Sequence, residues 1–306
     1  MKTFHSQGKL LLTAEYLVLD GAKALALPTR FGQSLQVNNS KATNVISWKS
    51  FDNNNTLWYE NTFRLANGKV KASNKDETTT WLLLLLNEAK ILNPDFLITG
   101  HRVESHLTFP RDWGLGSSST LINNIAQWAN VDPFLLSEAT FGGSGYDIAC
   151  ASAKTPITYQ LFCNPHKSIN ERAISPINFN PSFKNHLYFV HLNKKQNSRD
   201  GIKHYRAKDF NKNDVISKVN NLTNEIISAT NISLFNECVE KHEALIGTIL
   251  NETPIKERLF PDFNGAIKSL GAWGGDFILV SYLTDPTPYF SEKGYHTIIP
   301  YNNIIL

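Results

Sequence analysis

The feature that most constrains the fold of this chain is a glycine- and serine-rich segment between a predicted strand, 101–109, and a predicted helix that begins at Leu121. The segment covers residues 114–120 and reads Gly-Leu-Gly-Ser-Ser-Ser-Thr. A loop with little side-chain bulk at the start of a helix presents unpaired backbone N–H groups and the positive end of the helix dipole to an anion. The order strand, glycine loop, helix therefore predicts a phosphate-binding site, and an ordinary Gly-Ser helix cap is the alternative interpretation.

Residue type excludes two familiar nucleotide loops at this position. A Walker A loop ends in Gly-Lys-Ser/Thr, and no lysine follows Gly116. A dinucleotide-binding fingerprint needs a third small residue and a later acidic residue, and it normally opens a domain. The serine hydroxyls instead suit phosphate oxygens or a hard divalent cation such as Mg²⁺.

Composition limits the class of protein. With 306 residues, 42% of them hydrophobic, the chain can form one large or two ordinary globular domains. Lys and Arg number 30 against 27 Asp and Glu, and the formal net charge of +3 is too small to indicate a nucleic-acid partner. The longest apolar run, Trp81 to Leu86, is far shorter than the roughly eighteen residues of a membrane span. We therefore expect a small-molecule partner, no nucleic acid and no membrane.

The cysteines and the first residues of the sequence predict a cytoplasmic location. Cys150, Cys163 and Cys238 are far apart and lack metal-ligand spacing, which argues against a disulfide framework and a structural zinc site. Residues 1–6 lack the apolar stretch and cleavage site of a secretory signal. The oligomeric state stays open, with a homodimer as one possibility.

Two further glycine clusters and a lysine are candidates for chemistry. The cluster at 142–145 is followed by Asp147, whose carboxylate could hold a metal, orient a hydroxyl or take its proton, or could simply cap the next helix. The cluster at 271–276 contains Trp273, which is bulky for a phosphate site, so a plain turn between a helix and a strand is the alternative. Lys9 lies between apolar residues on a predicted strand and either faces a negative partner or lies at a solvated edge.

Apolar spacing predicts the remaining elements. Residues 8–37 are typical of short strands joined by tight turns, and 40–74 of amphipathic strands with long polar connections. The predicted helices cover 78–92, 133–140 and, as a helical pattern, 214–251, and the predicted strands cover 157–162, 187–192 and 277–282. Lys194, Lys195 and Arg199 follow the strand at 187–192 and could bind an anion or form a solvated basic loop.

Four segments, taken in this order, resemble the motifs of the GHMP kinase superfamily, which includes galactokinase, homoserine kinase, mevalonate kinase and phosphomevalonate kinase. Residues 8–21 resemble the first motif, and Pro110 with 114–119 closely copies the phosphate-binding signature Pro-x-x-x-Gly-Leu-Gly-Ser-Ser. Residues 145–147 resemble the segment that carries the catalytic aspartate, and 271–276 resemble the C-terminal glycine motif.

The resemblance implies an α+β fold of two domains with ATP and Mg²⁺ as cofactors. Residues 1–184 would form an ATP-binding domain like ribosomal protein S5 domain 2, and 185–306 a ferredoxin-like domain. For the phosphates the resemblance implies Gly114, Leu115, Gly116, Ser117, Ser118 and Ser119, and for magnesium it implies Ser118 and Glu138. It implies Asp147 and Lys9 for catalysis and places Gly274 and Gly275 at the substrate. The basic residues Lys194, Lys195 and Arg199 are further substrate-binding candidates.

The acceptor is the open question. An alcohol such as mevalonate would give Asp147 a role as base, whereas a phosphate monoester is already largely ionised near neutral pH and would depend more on cations. Residues 143–149 are most similar to phosphomevalonate kinase, which favours the phosphate. Trp273 replaces a glycine of the family and could narrow the site, or block phosphate alignment in a catalytically silent ATP-binding protein. We therefore expect an ATP-dependent kinase for mevalonate or phosphomevalonate, with another small alcohol as the alternative acceptor.

Overall fold

A computed structural model describes residues 1–74, 76–162, 170–194, 198–273 and 275–306. The chain divides into two units. Unit 1 comprises Met1–Gly8, Phe31–Arg111 and Leu115–Ser152, and unit 2 comprises Lys9–Arg30, Asp112–Gly114 and Ala153–Leu306. Strands β1 (Lys2–Leu11) and β2 (Ala24–Asn39) pair with each other, and each continues from one unit into the other. The domain boundary predicted after residue 184 stays a prediction.

In the part of unit 1 that the structure describes, a mixed sheet is combined with four helices. Its strands follow the order β5-β4-β3-β6-β2, in which β3 and β6 are parallel and the other neighbours are antiparallel. The new strands are β3 (Val45–Phe51), β4 (Leu57–Ala66), β5 (Lys69–Lys71) and β6 (His101–Leu107). The helices are α1 (Glu77–Leu92), α2 (Ser117–Ala129), α3 (Pro133–Thr140) and α4 (Tyr146–Ser152).

Helices α1 and α3 form where the sequence predicts them because local signals and core packing agree. The Asp76 side chain accepts a hydrogen bond from the backbone N–H of Thr79 at the start of α1, and Asp132 caps α3 in the same way. The apolar face of α1 lies in a core with both sheet and helix residues, which include Leu82, Leu86, Trp48, Phe63 and Ile125.

The strands between residues 40 and 74 are real, but the prediction of long polar connections between them is wrong. Strands β3 and β4 are joined by residues 52–56 alone, and β4 and β5 by Asn67 and Gly68, both with positive φ (54° and 72°). Asn-Gly is the usual pair for a two-residue hairpin turn. Much of β4 is exposed, so its polar residues belong to a solvated strand face and imitate a loop in the sequence.

Unit 2 contains a four-stranded antiparallel sheet of order β10-β11-β9-β12. The strands are β9 (Leu187–His191), β10 (Ala266–Ser269), β11 (Phe277–Ser281) and β12 (Ile298–Pro300), and β7 (Ile157–Phe162) pairs with β8 (Glu171–Pro176) and with the first part of β2. The helices are α5 (Ser198–Arg206), α6 (Lys212–Ser228), α7 (Ile232–Leu250), α8 (Ile255–Leu259), α9 (Thr287–Glu292) and α10 (Tyr301–Ile304). The predicted α+β class is confirmed.

The apolar run at 16–19 is not the strand that the sequence predicts. Residues Leu17–Asp20 form a short 3₁₀ turn, and Ala14 and Tyr16 before it have φ values of 63° and 61°. Non-glycine residues are uncommon in that region of backbone space, so tertiary contacts decide this turn. Among the residues described, no helix has the length and apolar character that a membrane crossing requires.

Candidate functional site

The glycine-serine segment of unit 1 opens helix α2 without a side-chain cap from the described residues. Gly116 is the N-cap residue with φ 88°, a left-handed conformation that favours glycine. The hydroxyl of Ser119 donates to the carbonyl oxygen of Gly116 at 2.9 Å, so it does not cap the helix. Ser117 is half-buried and Ser118 is exposed, whereas Leu115 is fully buried. Gly116 has no side chain that could cap the first turn, and the N–H groups of such a turn suit an anion, so phosphate binding here stays a prediction.

Gly114 lies in unit 2 with two charged side chains against it. The Lys9 ammonium donates to the Gly114 carbonyl oxygen at 2.9 Å. Gly114 has φ 65°, and a Cβ atom at this position would overlap the carboxylate of Asp276. Lys9 is half-buried, so of the two interpretations open from the sequence, the inward-facing one agrees with the structure.

The predicted catalytic aspartate lies at the start of a helix in unit 1. Asp147 is half-buried in the first turn of α4, and its Oδ1 accepts from the Ile148 N–H at 3.0 Å. Gly142 and Gly143 before it have positive φ and open space where a Cβ would lie. Glu138 is half-buried on α3. Lys9 belongs to unit 2, so its pairing with Asp147 stays a prediction, as does the pairing of Glu138 with Ser118.

The indole of Trp273 points into the interior of unit 2. Trp273 is 2% exposed, and its Nε1–H donates to Glu243 Oε1 at 3.2 Å. The edge of its ring lies close to Gly247, one turn further along α7. The ring is therefore occupied by contacts with α7, and the effect of Trp273 on phosphate alignment stays a prediction.

A buried charge cluster in unit 2 contacts Trp273 of the third glycine segment, and the sequence analysis did not predict it. Lys268 on β10 donates to Glu15 Oε1, to Glu243 Oε1 at 2.8 Å and to its neighbour's carbonyl oxygen at 2.6 Å. Ser269 donates to Glu243 Oε2 at 2.7 Å. His242 Nε2 accepts from the Ala14 N–H at 3.1 Å, which makes this imidazole neutral with its proton on Nδ1.

The pKa values of the cluster reflect burial and mutual attraction. Burial raises the pKa of Glu15 to about 7, against the pull of Lys268. Burial alone would lower the pKa of Lys268, but the carboxylates of Glu15 and Glu243 raise it above its ordinary value. Burial and the Lys268 charge hold the pKa of His242 well below its ordinary range. Lys268 thus stays charged and neutralises one of two sealed carboxylates.

The same cluster has the residue types of a metal site. One potential ligand atom each from Glu15, His242 and Glu243 lies within 4.8 Å of the others, and all three residues are buried. The Lys268 ammonium already bonds both carboxylates, so it supplies the positive charge that a metal would bring. We therefore interpret the cluster as an internal ion network.

Only some of the residues predicted to bind substrate lie in the described part of the chain. Lys194 is exposed, and its carbonyl oxygen accepts from the Asp276 N–H at 2.7 Å. Gly275 is buried. Arg199 lies in the first turn of α5, but its side chain is outside the described part of the chain, as are Lys195 and Gly274.

Signals for the missed residues are present in the sequence. Lys268 lies in an apolar strand, and Glu243 falls at helical spacing on the buried face of α7, positions where a charge needs a partner. In unit 1 the Arg111 guanidinium, just before the glycine-serine segment, lies 3.7 Å from the centre of the Trp58 ring on β4.

No protein-family model and no curated protein sequence matches this chain. Solved structures are similar over nearly all of it. A Lin0012 protein from Listeria innocua has a TM-score of 0.75 at 17% identity, with 97% of this chain and 96% of that chain covered. The phosphomevalonate kinase of Streptococcus pneumoniae in complex with phosphomevalonate and AMPPNP has a TM-score of 0.69 at 17% identity, with 100% and 98% covered. The galactokinase of Lactococcus lactis complexed with galactose has a TM-score of 0.65 at 14% identity, with 98% and 93% covered.

Kinases with different acceptors match to a similar degree, so the likeness concerns the fold and does not select an acceptor. The chain has the fold of the GHMP kinases.

Proposed function

We propose that this protein is an ATP- and magnesium-dependent kinase that transfers the γ-phosphoryl group to mevalonate or phosphomevalonate. The observation that carries the proposal is the start of α2, where a left-handed glycine and three serines leave the first turn without a side-chain cap from the described residues. A helix start of this kind is suited to a triphosphate. A neighbour solved with phosphomevalonate and AMPPNP supports the same function.

In the proposed site, the backbone of residues 114–119 binds the phosphates. Lys9 adds positive charge there, because its ammonium lies against the Gly114 carbonyl. Ser118 and Glu138 are the proposed magnesium ligands: the hydroxyl is exposed, the carboxylate is half-buried, and both offer the oxygen atoms that Mg²⁺ prefers. Bound magnesium would neutralise charge on the transferring phosphoryl group.

Asp147 is the proposed catalytic carboxylate. For an alcohol acceptor it takes the hydroxyl proton. Asp147 is half-buried and follows glycines with open space around them, so an acceptor can reach its carboxylate. For a phosphate acceptor no base is required, and the cations Lys194, Lys195 and Arg199 carry recognition. The similarity of residues 143–149 to phosphomevalonate kinase favours the phosphate acceptor.

The finer assignments belong to the same proposal. Residues 1–184 would correspond to the S5-like domain and 185–306 to the ferredoxin-like domain, and the antiparallel sheet β10-β11-β9-β12 supports the second assignment. We further propose a cytoplasmic enzyme whose partner is a small molecule.

A coupled ADP-release assay tests the function. Purified protein with magnesium-ATP is given mevalonate, 5-phosphomevalonate, homoserine, galactose or no acceptor. We expect turnover with mevalonate or its phosphate, and turnover with homoserine or galactose alone would contradict the acceptor. ATP binding by calorimetry without turnover on any acceptor would instead favour a silent ATP-binding protein, a reading for which the inward position of Trp273 gives no support.

A further inference from the structure

A turn in unit 2 forms the first half of the third glycine segment, and two adjacent residues of this turn are bonded to the interior. This turn, Gly271–Trp273, is closed by a hydrogen bond from the Trp273 N–H to the Leu270 carbonyl at 3.2 Å. Trp273 has φ 50°, a conformation that costs a bulky residue energy and persists only where the surroundings enforce it. Two contacts supply that enforcement.

The first contact is the packing of the indole against helix α7. Glu243 and Gly247 are four residues apart and therefore lie on one face of the helix. Glu243 accepts from the indole N–H at 3.2 Å, and a Cβ at Gly247 would lie 3.3 Å from the Trp273 Cη2 atom, closer than the ring would tolerate unless it moved. Glu243 is itself fixed by Lys268 and Ser269.

The second contact comes from the first sequence motif. The Tyr16 hydroxyl donates to the Ala272 carbonyl at 2.7 Å, in buried surroundings. Its ring stacks on Tyr205 of α5 with the centroids 5.6 Å apart. The absence of a side chain at Gly201 leaves room for the Tyr16 hydroxyl. The turn is therefore held from α7 on one side and through Tyr16 from α5 on the other.

We propose that Trp273 and Tyr16 are positioning residues, which hold the Gly271–Trp273 turn in one conformation and so set the place of Gly275 and Asp276 beyond it. This inference rests on the proposed kinase function for its effect on turnover. The physical reason is preorganisation: a binding segment held rigidly before the ligand arrives loses less entropy on binding, and small displacements near a reacting group are costly. In this interpretation, the bulky Trp273 that departs from the family pattern is an internal anchor.

Two conservative variants and one control test the proposal. Trp273→Phe removes the indole N–H but leaves Glu243 bonded to Lys268 and Ser269, and Tyr16→Phe removes only the hydroxyl that binds Ala272. Tyr289→Phe is the matched control, because its hydroxyl donates to Asp262 at 2.7 Å on the exposed surface of the same unit. Hydrogen exchange by mass spectrometry follows the backbone amides of the turn, and steady-state kinetics gives kcat and KM separately.

We expect amide exchange in the turn to be faster by roughly five-fold or more in each of the two variants, since each loses one buried hydrogen bond. Exchange in the other described strands and helices should match the wild type. With an active acceptor, kcat/KM should fall by about ten-fold, and the control should match the wild type in both measurements.

Unchanged exchange in the turn would overturn the proposal, as would a uniform increase across unit 2, which would indicate a general stabilising role. If Trp273→Phe does not fold, the isosteric Tyr16→Phe decides the question alone. Absence of turnover in the wild type with every acceptor would contradict the proposed function, while the exchange comparison would still decide whether the turn is positioned by these two residues.

Discussion

Each unit places carboxylates near a glycine-rich segment, and the surroundings of those carboxylates differ. In unit 1 Asp147 is half-buried and follows glycines with open space around them. In unit 2 Glu15 and Glu243 are sealed in the interior, at 1% and 3% exposure, and share the ammonium of Lys268. A half-open carboxylate can meet a ligand, whereas a sealed pair acts only on the protein around it. The first kind of site is expected to control turnover, and the second to control stability and the shape of the fold.

The largest expected effect concerns the open carboxylate. If the acceptor is an alcohol, Asp147→Asn should lower kcat by roughly 10²–10⁴-fold, because the amide cannot take the hydroxyl proton. The free energy of unfolding in urea and the ATP affinity should stay close to the wild type. The exposed Asp95→Asn is the control in the same unit. Near-normal turnover of an alcohol would remove Asp147 from the role of base.

For the sealed carboxylates we expect the main effect of substitution on stability, whereas for Asp147 we expect it on turnover. Lys268→Met should lower the free energy of unfolding by about 3–5 kcal/mol, because it leaves two buried carboxylates without their cation. Lys256→Met is the matched control: Lys256 pairs with the exposed Glu240 at 3.1 Å, and such a surface pair contributes less than about 1 kcal/mol. Equal losses in the two variants, measured by urea unfolding, would contradict the structural role of the cluster.

The raised pKa of Glu15 predicts a pH dependence of stability. The folded state holds this proton more tightly than the unfolded chain, since the pKa rises from 4.5 to about 7 on folding. The stability contributed by Glu15 is therefore fully present below about pH 4.5 and is lost as the pH rises through about 7. His242 acts in the other direction: its lowered pKa means that stability is lost as the pH falls through its ordinary value of 6.5.

Comparison with Glu15→Gln separates the two groups, because His242 is present in both proteins. The wild type should lose up to about 3 kcal/mol relative to Glu15→Gln between pH 4.5 and pH 8, measured as free energies of unfolding in urea at a series of pH values. A constant difference across this range would show that Glu15 titrates normally in the folded protein.

The smallest expected effect separates backbone strain from crowding at Gly114. Gly114→Ala and Gly271→Ala introduce the same side chain at similar φ values, 65° and 59°, but only at Gly114 would the new Cβ meet a side chain, the carboxylate of Asp276. Both variants should lose about 1 kcal/mol of stability from strain. Gly114→Ala should lose about 1 kcal/mol more, and its ATP affinity should fall. Equal thermal and urea stabilities for the two would place Asp276 away from Gly114.

Local signals made much of the fold predictable. Helices α1 and α3 carry Asp caps directly before their apolar patterns, and both were predicted close to their observed ends. Strands β7, β9 and β11 were predicted to within a residue, because their apolar runs are bounded by turn residues. The helical pattern through 214–251 resolves into α6 and α7, each capped by the side chain of an Asn residue, Asn211 and Asn231.

The candidate site was predictable where its chemistry is local. The glycine-serine segment at 114–119 leads into a helix as the sequence predicts, but α2 begins at Ser117 and not at Leu121, so the three serines belong to its first turn. The direction of the Trp273 ring was not predictable, because it depends on Glu243 and Gly247, distant in sequence. The same applies to the contact between Lys9 and Gly114, which lie 105 residues apart.

The sequence by itself determined the order of the four motifs and the helix start that suits a phosphate, because these follow from residue type and short-range spacing, and the resemblance that the motifs carry implied the α+β class. Only the tertiary structure decided which charges are buried together and that Ala14, Tyr16 and Trp273 adopt left-handed backbone. Lys268 meets Glu15 across 253 residues, and Tyr16 reaches Ala272 across 256. Such pairs depend on how the chain packs, since a buried charge is stable only where folding brings it a partner.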